Sequence, residues 1–396
     1  MEILFNVSQH GVRPVNVSFR RLIPTSAAVV LLTLTASVAN AQTSNRAGID
    51  VTLTSESTNL NGTDDVTVNV TMTNAGSVPV FVPKWYVPSE AATSGVFTIT
   101  RNGEPVPYLG ALVKRNAPSA QDFVKIAAGA SLSFKVELSA VYDLSTTGAY
   151  NIQYDAPAVQ TVRGSTPNAA TAERQAGQSP AEPQTQDLVS NAIALTIIGD
   201  ANFQARRANL AAQGGTVAPA FAGSVSFIGC SNTRITQVST ALTSAESYAS
   251  NALSYLNAGT RGARYTTWFG TYDASRYTTA RNNFSAISNA ASTQPLAFDC
   301  STCPGTANAS AYAYVYANQP YRVYLCNAFW AAPNTGTDSR AGTIIHEVSH
   351  FTVVAGTSDY AYGQSAARSL ASSNPARAVR NADSHEYFAE NTPAQN

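Results

Sequence analysis

Two histidines one helical turn apart, with a glutamate beside the first, constrain this chain more than any other stretch: His346-Glu347-Val348-Ser349-His350. A step of four residues puts both imidazoles on one helix face. Two nitrogen ligands on one rigid element are half of a tetrahedral zinc site. Glu347 stands where a carboxylate reaches a water held by the metal. Ala341, Ile344, Ile345, Val348 and Phe351 recur at helical spacing, which predicts a helix with one side in the core and the histidines facing a cleft. Surface helices also carry such pairs as two solvated histidines, so a third ligand decides.

One class of zinc protease needs a glycine three residues and a histidine six residues past the second histidine; Val353 and Gly356 stand there instead, which excludes it. Glu386 or Glu390 could serve as a distant carboxylate ligand. Asp359 is the other candidate. Gly356 can end the helix in the left-handed conformation, and Asp359, nine residues past His350, can swing back to the metal.

With the following Gly356-Thr357-Ser358-Asp359-Tyr360-Ala361-Tyr362-Gly363, the motif resembles the aspzincins, the deuterolysin and peptidyl-Lys metalloendopeptidase family. Cys230, Arg264-Tyr265-Thr266-Thr267-Trp268-Phe269-Gly270, Val323-Tyr324-Leu325-Cys326, Gly336-Thr337-Asp338-Ser339 and Asn381-Ala382-Asp383-Ser384-His385-Glu386-Tyr387-Phe388 resemble the peptidyl-Lys branch, over about the last 170 residues. The resemblance implies that His346, His350 and Asp359 bind one Zn²⁺, that Glu347 is the general base and then acid, and that Tyr362 stabilises the oxyanion. It also implies that Asp383 and Glu386 receive a substrate lysine. Their three-residue spacing gives them one helix face; without the resemblance, a solvated face would be the plainer reading.

The rest of the chain supplies context. Residues 1–41 read as a signal peptide: Arg20 and Arg21 precede the apolar run from Ala27 to Leu34, and Ala39-Asn40-Ala41 is a small-x-small cleavage site. The run is too short for a membrane span. A net charge of zero gives no basic patch for nucleic acid or a membrane surface. Four cysteines, Cys230, Cys300, Cys303 and Cys326, read in an exported chain as two disulfides with three possible pairings. The resemblance selects Cys230 with Cys300 and Cys303 with Cys326.

Residues 42–200 alternate like short strands separated by Asn61-Gly62, Asn74-Ala75-Gly76 and Asn102-Gly103, which predicts an all-β, immunoglobulin-like sandwich serving as a propeptide. Within it, 156–187 is rich in Pro, Ala, Gln, Thr and Ser and reads as a disordered insertion. Residues 201–223 read as a linker, and 224–396 as a mainly α metalloprotease domain, α+β with a small hairpin at 311–325. Asn374-Pro375 predicts the start of a final helix running to about Glu390.

The expected function is a secreted zinc endopeptidase, made as a pro-enzyme, that cuts on the amino side of lysine in protein or peptide substrates, with its own propeptide as partner before maturation. The alternatives are a broader deuterolysin-like protease and an adhesin with a vestigial zinc domain; the intact His346, Glu347, His350, Asp359 and Tyr362 argue against the latter. All four lysines, Lys84, Lys114, Lys125 and Lys135, lie before Val136, and the remainder holds 14 arginines and no lysine. That distribution fits self-protection of a lysine-directed protease, beside the plainer cause that the chain prefers arginine throughout, 20 to 4.

Overall fold

The computed structural model describes residues 48–61, 64–88, 95–144, 146–164, 167, 184–199 and 224–396. The predicted signal peptide, the predicted linker 201–223 and most of the predicted insertion 156–187 lie outside them.

The N-terminal half is built on two sheets. β1 (Ile49–Thr54), β3 (Thr67–Asn74) and β9 (Ser131–Glu137) form one, antiparallel in the order β1-β3-β9. The second contains β2 (Asn59–Leu60), β4 (Val80–Pro83), β5 (Phe97–Arg101), β6 (Glu104–Pro105), β8 (Phe123–Ile126), β10 (Gly148–Arg163), β11 (Gln184–Val189) and β12 (Ile193–Ile197). Alternate residues of both sheets bury into a shared core: Val51, Val68, Val70 and Val136 from the first, Val80, Ile99, Ile152 and Leu195 from the second. Period-two patterning buries one face of each strand, as the sequence indicates.

The predicted insertion is shorter than expected. β10 continues through Ala156 to Arg163, and β11 starts at Gln184. The register between them shifts between Ala156 and Val159, next to Pro157. A bulge at a proline breaks the alternation, and so hid the strand from a reading based on period.

The C-terminal half has a five-stranded sheet where only a hairpin was expected. β13 (Ser226–Ile228), β14 (Ala297–Asp299) and β16 (Arg322–Leu325) are parallel, and β15 (Ala313–Tyr316) pairs antiparallel with β16. The remaining edge of β15 is covered by β7 (Ala111–Lys114), a strand from the N-terminal half. Helices α1 (Asn232–Asn257), α2 (Ala263–Phe269), α3 (Ala274–Thr293), α4 (Asn327–Ala331), α5 (Arg340–His350), α6 (Gln364–Ser373), α7 (Pro375–Ala378) and α8 (Ala382–Glu390) complete this half.

α5 carries the histidine motif. Ser339 caps it, accepting from the Gly342 N–H at 2.9 Å, and Glu390 Oε1 accepts from the Ser339 N–H at 2.9 Å. Its stripe of Ala341, Ile344, Ile345 and Val348 is fully buried in the main core. The expected open cleft on the other side is covered as well: His346, Glu347 and His350 are all 0% exposed, because the N-terminal half lies over them.

The final helix is broken, contrary to expectation. α7 stops at Ala378, and α8 begins at Ala382. Asn381, between them, accepts from the backbone N–H groups of Tyr360 and Ala361 at 2.9 and 3.0 Å. The Ser358 N–H donates to the Arg380 carbonyl at 2.8 Å. The break thus uses the Asn381 side chain and its own backbone groups to pin the turn that carries Asp359. The disulfides are Cys230–Cys300 and Cys303–Cys326.

Candidate active site

His346 and His350 project from α5 with ring centroids 4.8 Å apart. α5 ends at His350, and Gly356, at φ +57°, turns the chain back toward it in the left-handed region that favours glycine. Asp359 Oδ1 comes to 3.1 Å from His346 Nε2 and 3.3 Å from His350 Nε2. None of these three buried atoms has a hydrogen-bond partner. They converge on a common point instead of bonding one another, as three protein ligands of a tetrahedral zinc ion do.

Each outer nitrogen faces an oxygen. His350 Nδ1 lies 2.9 Å from the Thr357 carbonyl, and His346 Nδ1 lies 2.8 Å from Asp383 Oδ1. A proton on each Nδ1 leaves both Nε2 lone pairs facing inward. Burial pushes the Asp359 carboxyl up, but His350 and His346 pull it well below the usual carboxylate range. Burial lowers His346, yet Asp359, Asp383 and Glu386 together raise it well above its usual value. The carboxylates around His346 thus favour positive charge at this point.

Glu347 is fully buried, and both its oxygens lack partners. Burial, with the Asp359 charge, raises it to about 8 against the opposing pull of His346 and Lys114. A carboxylate near 8 exchanges protons readily around neutral pH. Tyr362 lines a cavity of about 200 Å³ together with His350 and Asp359. Its ring packs edge-on against Trp85 of the N-terminal half, at 5.8 Å. Burial raises its hydroxyl well above the usual range, so it stays a hydrogen-bond donor.

Asp383 and Glu386 share the inner face of α8. Asp383 Oδ2 accepts from the Gly363 N–H at 2.6 Å, leaving Oδ1 toward His346. Glu386 Oε2 lies 3.4 Å from His346 Nδ1 and 2.6 Å from the ammonium of Lys114. His346, Asp383 and Glu386 also lie close enough to hold a metal, but the Lys114 cation already stands between the two carboxylates. His385 points away, its Nδ1 2.9 Å from the Asn381 carbonyl.

Three contributors escaped the sequence reading. In the sequence Asn381 is only one member of a motif, and its side-chain oxygen works on the backbone N–H groups of Tyr360 and Ala361. Asp338, whose Oδ1 accepts from the Tyr387 hydroxyl at 2.7 Å, lies 3.4 Å from the Lys114 ammonium. The sequence places Lys114 in the N-terminal sandwich with the other three lysines; its occurrence in a short apolar run, Ala111-Leu112-Val113, was the available signal for its seat in the C-terminal half.

A family profile for lysine-specific metallo-endopeptidases, the aspzincins, matches residues 254–390. The chain is 46% identical over 354 residues to an extracellular protease of Aeromonas hydrophila, covering 88% of this chain and 94% of that protein. It is 36% identical over 351 residues to a peptidyl-Lys metalloendopeptidase of Armillaria mellea, covering 84% of this chain and 89% of that one. A peptidyl-Lys metalloendopeptidase of Pleurotus ostreatus is 56% identical over 169 residues, 42% of this chain and 98% of that protein. The two longer matches take in the N-terminal half, where the motif resemblance alone did not reach. The chain belongs to the aspzincin zinc metalloendopeptidases.

Proposed function

We propose that this chain is a secreted pro-enzyme that hydrolyses peptide bonds on the amino side of lysine, with one zinc ion held by His346, His350 and Asp359. The observation that carries the lysine preference is an ammonium already seated between Asp383 and Glu386, next to that donor set. The relatives named peptidyl-Lys metalloendopeptidase point the same way.

Zinc, when bound, supplies Lewis-acid activation of water and of the scissile carbonyl. Glu347 takes a proton from the attacking water. The water oxygen bonds to the carbonyl carbon, the carbon–nitrogen bond breaks, and Glu347 returns the proton to the lysine nitrogen. Tyr362 donates to the oxyanion as charge develops there. Asp383 and Glu386 hold the side-chain ammonium, which fixes which bond lies against Glu347.

Secretion is supported by the two disulfides, which persist in oxidising compartments, and by the export-signal pattern of residues 1–41. Pro-enzyme status is supported by the complete burial of His346, Glu347 and His350 beneath the N-terminal half; the sandwich 42–200 is then the propeptide and 224–396 the mature protease.

The test is mass spectrometry of peptides released from a denatured protein by activated enzyme, with and without a chelator. New N-termini should begin with lysine, and the chelator should abolish them. Cuts spread over many residue types would favour a broader deuterolysin-like protease.

A further inference from the structure

We propose that Lys114 stands where a substrate's lysine stands, and that this one side chain closes the active site of the intact chain. Its contacts then define an amine pocket that includes Asp338, Tyr312 and Tyr387 as well as Asp383 and Glu386. The inference rests on the lysine-directed reading above and names the residue that does the blocking.

Strand β7 is bound as a peptide is bound. It lies antiparallel on the edge of β15, with Lys114 opposite Ala313, Val113 opposite Tyr314, Leu112 opposite Val315 and Ala111 opposite Tyr316. The Tyr312 N–H donates to the Lys114 carbonyl at 3.0 Å. The Val113 N–H donates to Asp359 Oδ2 at 3.0 Å. Main-chain pairing along an exposed sheet edge, with a pocket for a chosen side chain, is a general mode of peptide recognition. The Val113–Lys114 peptide unit therefore lies beside Asp359, and the residue after the bond is lysine.

The side chain enters a pocket built for a cation. The Lys114 ammonium lies 2.6 Å from Glu386, 3.4 Å from Asp338 and 3.7 Å from Asp383. It also sits 4.9 Å from the centre of the Tyr312 ring and 5.8 Å from that of Tyr387, within the range where aromatic faces attract a cation. Glu390 Oε2 accepts from the Asp338 N–H at 3.2 Å and helps hold that third carboxylate.

Lys114 is unlike the other lysines. It is 0% exposed, whereas the side chains of Lys84 and Lys135 are 56% and 61% exposed, and Lys125 is exposed too. Burying an ammonium is costly unless it is paired, and all three of its carboxylate partners come from the C-terminal half. Leu112 and Val113 likewise pack into clusters of that half. β7 departs from the sandwich to fill someone else's site.

The experiment compares the intact wild-type chain, intact Lys114→Ala and intact Lys114→Met, with wild type freed of its N-terminal half by an added protease as the activity control. Intact Lys114→Ala should hydrolyse a short Xaa-Lys peptide at least ~10-fold faster than intact wild type, because the competent fraction rises. n-Butylammonium, which copies the lysine stem and head, should raise the melting temperature of zinc-free Lys114→Ala and Lys114→Met and leave wild type unmoved. The inference is overturned if both variants stay as silent as intact wild type while freed wild type cuts Xaa-Lys, or if the amine leaves their melting temperatures unchanged. Freed wild type that cuts no Xaa-Lys bond would instead count against the lysine-directed reading, and the melting-temperature arm would still judge the pocket.

Discussion

Asp383 Oδ1 lies 2.8 Å from His346 Nδ1 and 3.7 Å from the Lys114 ammonium. One carboxylate thus faces the proposed metal ligand and the amine pocket together. Asp383→Asn should therefore weaken zinc binding ~10- to 100-fold, the usual cost of losing the partner of a ligating histidine, and relax the lysine preference as well. Glu386→Gln should relax the preference with a smaller effect on zinc. Chelator competition and peptide mapping on activated enzyme measure the two effects; unchanged zinc affinity in Asp383→Asn would refute the dual role.

Asp359→Ala should release zinc, since two histidines alone hold it weakly. Glu347→Ala should keep zinc and lose roughly 10²- to 10⁴-fold in turnover, because its work is proton transfer. Metal content of the purified variants distinguishes them. A zinc-free Glu347→Ala together with a zinc-replete Asp359→Ala would reverse the assignment.

Acid stability should depend on Asp299. Burial raises its carboxyl, but the Arg322 guanidinium at 2.6 Å, together with the Ser301 and Thr302 donors, brings it down to about 2 from 3.8. A carboxyl lowered on folding stabilises above its unfolded value, and that stabilisation is lost as pH falls through the folded one. The difference in melting temperature between wild type and Asp299→Asn should be full at pH 5 and shrink between pH 4 and pH 2. A constant difference across that range would contradict the pairing.

The absence of lysine after Val136 suggests a gain-of-nick test. Ala307 is exposed in the loop between β14 and β15. Activated Ala307→Lys should accumulate a cut between Thr306 and position 307 on standing, whereas wild type should not. Survival of the variant uncut for as long as wild type would leave self-protection without support.

Much of the site was legible because its parts are local. The four-residue step from His346 to His350, the glycine turn before Asp359 and the three-residue step from Asp383 to Glu386 are all short-range patterns that a helix or turn converts directly into geometry. The sandwich strands were legible for the same reason, through alternation. What stayed hidden depends on distant partners. Lys114 and Asp338 are separated by 224 positions, and a four-residue strand such as β7 carries no period to read. Asn381 acts through backbone N–H groups around 20 residues away, which leaves no signature in side-chain pattern. The break between α7 and α8 and the bulge in β10 were missed because continuing an element looks the same in sequence as stopping it for a purpose.

Leu112 packs in the core of the C-terminal half, and Tyr362 packs in that of the N-terminal half. Each half has a side chain of the other anchored inside it. For the proposed pro-enzyme, severing the chain between the halves would leave them interlocked. Activity should then emerge in two stages: a cut whose speed follows the amount of activating protease, and a slower parting of the halves whose speed does not. With excess activating protease, a lag of fixed length should persist between complete cleavage on a gel and full turnover.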